Sequence, residues 1–128
     1  MHQTREALTA HLQDRPEILF AILYGSASEG DVFRDLDVAL WVDRAAVPVE
    51  AELVYSFDLA DELERATGYP VDVRVINDAP LPYRYNVSRG HKLVTRDEES
   101  YYIFLERTRS AWWDFEPVAL AYLREMAS

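Results

Sequence analysis

Two short apolar runs, Ile18 to Tyr24 and Leu36 to Val42, bracket a polar loop that opens on Gly25-Ser26 and closes on Asp35-Leu36-Asp37. Each run is short, apolar and bounded by turn residues, the pattern of a buried strand rather than a helix. Period two then puts Asp35, Asp37 and Ala39 on one face of the second strand and Leu36, Val38 and Leu40 on the other. One face is apolar, and the other carries a pair of carboxylates next to a glycine turn. The fold must bury the first without burying the second, because two adjacent carboxylates cannot both leave water without a cation.

The rest of the chain supplies the layers around these strands. Thr4 to about Asp14 reads as a first helix, with Ala7, Leu8 and Leu12 on one side and a break at Pro16. Ala27 to Gly30 could form one helical turn, and Asp31 to Arg34 a loop. After Pro48, the residues Leu53, Phe57, Ala60 and Leu63 recur at helical spacing as far as Thr67, and Gly68 stops the helix. Val71 to Ile76 reads as a third strand containing Asp72. A loop over Asn77 to Pro82 leads to a short helix at Tyr83 to Arg89, and His91 to Thr95 reads as an edge strand. From Glu98 onward the chain is helical, with Pro117 expected to kink or split it. This order predicts an α/β (α+β) sandwich built on a small mixed sheet, one domain over residues 1–128 with a helical tail.

Charge and composition narrow the function. The 128 residues carry a formal net charge of −10, which disfavours general binding to nucleic acid and suits a divalent metal or a basic protein partner. Cysteine is absent, so thiolate metal sites and disulfides are excluded. No apolar run is long enough for a membrane span, and the first residues lack a signal-peptide pattern, so a cytoplasmic protein is expected.

Three features carry chemistry. A glycine ending a strand lets a phosphate approach the backbone, and Ser26 adds a hydroxyl and an N–H if it opens a helical turn. Gly-Ser after a strand is, by itself, most often just a turn. Asp35 and Asp37, two apart on a strand, leave the same face and can share Mg²⁺, a hard ion that also takes phosphate oxygens. Asp72, between apolar residues of another strand, could reach the same face. Three converging carboxylates could hold two ions, one activating an attacking hydroxyl and one neutralising a triphosphate. Arg74 shares Asp72's face, where an ion pair is the simpler reading. Arg89 and Lys92 are weaker candidates for nucleotide contact. The histidines have no partner at metal-ligand spacing.

Gly25-Ser26, Asp35-Leu36-Asp37 and Val71-Asp72-Val73 together resemble the minimal nucleotidyltransferase domain of the DNA polymerase β-like superfamily, and within it the MntA-type antitoxins encoded beside HEPN-fold HepT toxins. The resemblance covers about residues 18 to 96. It implies that Gly25 and Ser26 hold the triphosphate of ATP, that Asp35, Asp37 and Asp72 bind two Mg²⁺ ions and carry catalysis, and that AMP passes to a tyrosine of a HEPN-type toxin. Asp72 could also assist deprotonation of the acceptor. The loop before Asp35 is two residues shorter than the family's, and Arg34 stands where the family often has serine. At the family's spacing Asp37 would be the first acid and Ala39 would replace the second, so Asp35 and Asp37 with a shortened loop is the preferred register.

The aromatic tail, Tyr101-Tyr102, Phe104 and Trp112-Trp113, is expected mostly to complete the core. Adjacent tryptophans point in different directions on a helix, so one should be exposed, which would suit a homodimer or a toxin contact. The competing function is therefore a binding module that neutralises its partner by complex formation alone.

Overall fold

The structure, a computed structural model, describes residues 2–25 and 35–127. In chain order the elements are α1 (His2–Gln13), β1 (Ile18–Tyr24), β2 (Leu36–Val42), a 3-10 turn (Val49–Ala51), α2 (Glu52–Thr67), β3 (Val71–Val75), α3 (Leu81–Ser88), β4 (His91–Thr95) and α4 (Glu98–Ala127). The strands form one mixed sheet in the order β3-β2-β1-β4. β1 pairs antiparallel with β2 and β4, whereas β2 and β3 run parallel. A parallel pair needs a crossover, and α2 is that crossover. It ends at Gly68, whose left-handed backbone (φ 79°) is the conformation glycine adopts most readily.

The two faces of the sheet are packed differently. On the first, Leu36, Val38, Leu40 and Val42 meet Leu8 and Leu12 of α1 and Leu59 and Leu63 of α2 in an aliphatic core. Each such leucine contributes roughly 1.5–3 kcal/mol by leaving water. Arg15 and Tyr55 support this layer from outside: Arg15 pairs with Glu17 and Glu62, and the Tyr55 hydroxyl donates to Glu17. On the second face Phe20 is the hub, stacked on Trp41 at 5.7 Å and meeting Tyr101 and Phe104 of α4 at 5.3 and 5.4 Å.

Three expectations change. On α2 the buried side chains are Ser56, Leu59 and Leu63, while Leu53 and Phe57 face outward. The covered stripe is thus i, i+3, i+7 from Ser56, and β3 at the sheet edge leaves the neighbouring stripe open. α4 is one unbroken helix through Pro117. The carbonyl of Trp113 that the proline leaves without an N–H lies on an exposed stretch, where water can satisfy it. Of the aromatic tail, Phe104 is buried and Tyr101 packs beside it, but Tyr102 and Trp113 are exposed, the latter at 81 %.

Candidate active site

Strand register builds the site. Tyr24 of β1 lies opposite Asp37 of β2, and Asp37 lies beside Asp72 of β3. Residues in register project from the same face, so these three side chains form a row across three strands at one end of the sheet. Two residues along, Ile22, Ala39 and Arg74 form the next row on that face. The second face therefore changes from carboxylates and a phenol at its open end to the aromatic core at the other.

Gly25 closes the polar end. Its φ is 76°, and a Cβ built there would lie 2.5 Å from Oδ2 of Asp37. Glycine is thus required twice over, for the left-handed turn and for the approach of the carboxylate to the backbone. Ser26, with the segment Ala27 to Arg34, lies outside the described residues.

The electrostatics follow from this crowding. Partial burial pushes the Asp37 carboxyl up, and the charges of Asp35 and Asp72 push it further, while Arg74 opposes them. Nε of Arg74 donates to Oδ2 of Asp72 at 3.2 Å, the ion pair expected from their spacing. The hydroxyls of Tyr24 and Tyr83 are hydrogen-bonded, with their rings edge to face at 5.8 Å. Burial, then Tyr83, then the two aspartates hold the Tyr24 phenol far above its ordinary range, so it stays protonated. The Arg74 guanidinium sits 5.8 Å from the Tyr83 ring centre. A groove of about 650 Å³ opens from Asp72, Arg74 and Tyr83 along the β3 edge, walled by the outward Leu53 and Phe57 of α2.

The donor set suits a hard cation. Among the described residues no three His, Cys, Asp or Glu side chains are gathered as a ready metal cage. Mg²⁺ does not need one: it is typically held by one or two carboxylates together with substrate phosphates and water. The negative charge crowded at Asp37, which Arg74 opposes without cancelling, is the charge that such an ion would neutralise.

The sequence matches a family profile described as "Polymerase beta, Nucleotidyltransferase" over residues 6–99. The chain belongs to the polymerase β nucleotidyltransferase family. No curated protein matches it in sequence. Among solved structures, this nucleotidyltransferase chain is similar to a complex of a tri-AMPylated HEPN toxin of Shewanella oneidensis with an MNT antitoxin, at a TM-score of 0.70 and 19 % identity over 99 % of this chain and 98 % of that one. It is similar to a toxin–antitoxin structure with AMP-PNP at a TM-score of 0.71 and 21 % identity, covering 97 % and 98 % of the two chains. A third similar structure is an MntA–HpeT mutant with two aspartates, two positions apart, changed to glutamate (TM-score 0.73, 20 % identity, 97 % and 98 % covered). These likenesses establish the fold over essentially the whole chain.

Other nucleotide-contact candidates lie elsewhere. Lys92 sits 5.4 Å from the Tyr101 ring centre, over the aromatic core. Arg89 lines a separate pocket between α3 and α4. Ala39 is fully buried in the aromatic cluster. The sequence reading missed Tyr24 and Tyr83. Tyr24 had a local signal, since it immediately precedes the glycine turn, whereas Tyr83 reaches the row only through the placement of α3. Among the described residues, no helix is long and apolar enough to cross a membrane.

Proposed function

We propose that this chain, acting as a single minimal nucleotidyltransferase domain with a helical tail, transfers AMP from ATP to a tyrosine hydroxyl of a HEPN-type toxin and so neutralises it. The observation that carries the reading is the in-register neighbourhood of Asp37 and Asp72 beside a glycine with no room for a side chain. Asp35, Asp37 and Asp72 are the proposed ligands of two Mg²⁺ ions, and Gly25 and Ser26 the proposed phosphate contacts. The burial of Ala39 among aromatic rings favours the register that begins at Asp35.

In the proposed reaction the acceptor oxygen bonds to the α-phosphorus and the bond to pyrophosphate breaks. Bound Mg²⁺ would supply charge neutralisation for the phosphates. Asp72 is placed in the role of proton acceptor for the incoming hydroxyl, with Arg74 holding its carboxylate. The Tyr24 and Tyr83 pair walls one side, and the groove along β3 receives the acceptor. The similar complexes, an AMPylated toxin with its antitoxin and a toxin–antitoxin with AMP-PNP, support both the transferred group and the partner class.

One observation favours the binding module: beyond Thr108 no residue of α4 is buried, leaving Trp113, Val118, Tyr122 and Met126 exposed. One experiment separates the readings. The chain is incubated with Mg²⁺, α-labelled ATP and a purified HEPN-type partner. Label on the partner's tyrosine, lost in Asp37→Asn/Asp72→Asn, is the expected result. Tight binding without label supports the module, and label that persists in the double variant refutes the site.

A further inference from the structure

A second pocket, of about 640 Å³, lies between α3 and the distal half of α4. Tyr85 and Trp112 stack in its wall, ring centres 4.5 Å apart and planes 8° from parallel. The exposed Trp113 lines it as well. Three guanidiniums, of Arg89, Arg109 and Arg124, line the same space. Among the described residues no carboxylate forms an ion pair with any of them. The acid in the pocket, Glu116, accepts the indole N–H of Trp112 at 2.7 Å. Arg109 is anchored by donating to the Ser88 carbonyl at 3.2 Å.

The pocket sets three guanidiniums against one carboxylate, that of Glu116, on a chain of net charge −10. That excess of positive charge at one pocket favours an anion there. The aromatic walls narrow the anion's class. Flat rings beside guanidinium forks recognise a planar base through stacking and its phosphates through paired N–H donors. The volume falls within the range of small-molecule sites.

We propose that this pocket is a second nucleotide site, which takes a nucleotide with its base against the exposed Trp113, beside the Tyr85–Trp112 stack, and its phosphates on Arg89, Arg109 and Arg124. It is separate from the carboxylate row, being lined by neither Asp37 nor Asp72. The nucleotide has two chemical sources: free ATP or AMP, or an AMP unit already joined to an acceptor tyrosine. Only the second source rests on the transferase reading.

Tryptophan fluorescence of the full chain tests this, since two of its three tryptophans line the pocket. The Asp37→Asn/Asp72→Asn background removes the carboxylate site, so the signal is independent of whether that site is a transferase. The titrants are AMP, ATP, inorganic triphosphate and an AMP-modified tyrosine peptide. AMP or ATP should quench the emission, and Arg89→Glu with Arg124→Glu should weaken binding by at least about tenfold. Both arginines are exposed, and an unchanged far-UV circular dichroism spectrum checks the fold. Tighter binding of the modified peptide than of AMP assigns the site to transferred units. Equal or weaker binding assigns it to free nucleotide. Triphosphate binding as well as ATP overturns the proposal in favour of a plain anion site. Absence of quenching, or quenching indifferent to the arginine changes, also overturns it.

Discussion

The same strands present an aliphatic layer to α1 and α2 and, one residue out of phase, a carboxylate row to the opposite side. Leu36, Val38 and Leu40 have no exposure at all, whereas Asp37 between them shares its end of the sheet with Asp35, Asp72 and a phenol pair. The aliphatic face gains stability from every contact it makes. The row opposite holds like charges together, and that destabilises the fold. Alternation along β2 lets the first face carry the second.

The contrast predicts opposite signatures for substitutions on the paired strands β2 and β3. Asp72→Asn should lower AMP transfer on the order of a thousandfold, about 4 kcal/mol of barrier, in a single-turnover assay with labelled ATP. Its melting temperature should not fall. Leu40→Ala, on the other face, should lower unfolding free energy by about 3 kcal/mol in urea denaturation while leaving nucleotide-dependent activity intact in the folded fraction. If Leu40→Ala spares stability, or Asp72→Asn lowers it by a similar amount, the division between the faces fails.

Gly25→Ala tests the seam between them. The left-handed backbone and the collision with Asp37 should together destabilise by about 1–2 kcal/mol in the same denaturation series, with a larger relative loss in transfer rate. The smallest effect is the most diagnostic of charge crowding. The raised Asp37 carboxyl means that the folded chain holds this proton more tightly than the unfolded chain does. Stability therefore falls as pH climbs from the ordinary value of 3.8 through the folded one, and the penalty is complete at neutral pH. Asp37→Asn should raise the melting temperature at pH 7 by roughly 2 °C, and the gain should vanish below about pH 4. A lower melting temperature for the variant at pH 7 would show that Asp37 is stabilised rather than strained.

How far each part could be read in advance follows from what is local. β1 and β2 are legible to the residue as short apolar runs bounded by Gly25 and Asp35, and β4 as the strand that follows Gly90. The apolar pattern of α2 misled, since Leu53 and Phe57 keep helical spacing but face the open β3 edge, and no property of the chain reveals which stripe a sheet will cover. Asp72 sits beside Asp37 because β2 and β3 run parallel in that register, a fact the spacing allowed without requiring. Tyr83 was invisible for the same reason, since its partner Tyr24 is 59 residues away. Local rules predict a kink or split at Pro117 because they assume a buried helix, and this one lies in water.

The most direct measurement is Mn²⁺ binding, followed by its electron paramagnetic resonance signal, with a non-hydrolysable ATP analogue present. The wild-type chain should take up the ion, the analogue should strengthen uptake, and Asp37→Asn/Asp72→Asn should abolish it in a protein that is still folded. Undiminished uptake by the double variant would place the cation elsewhere and contradict the carboxylate row as the reacting centre.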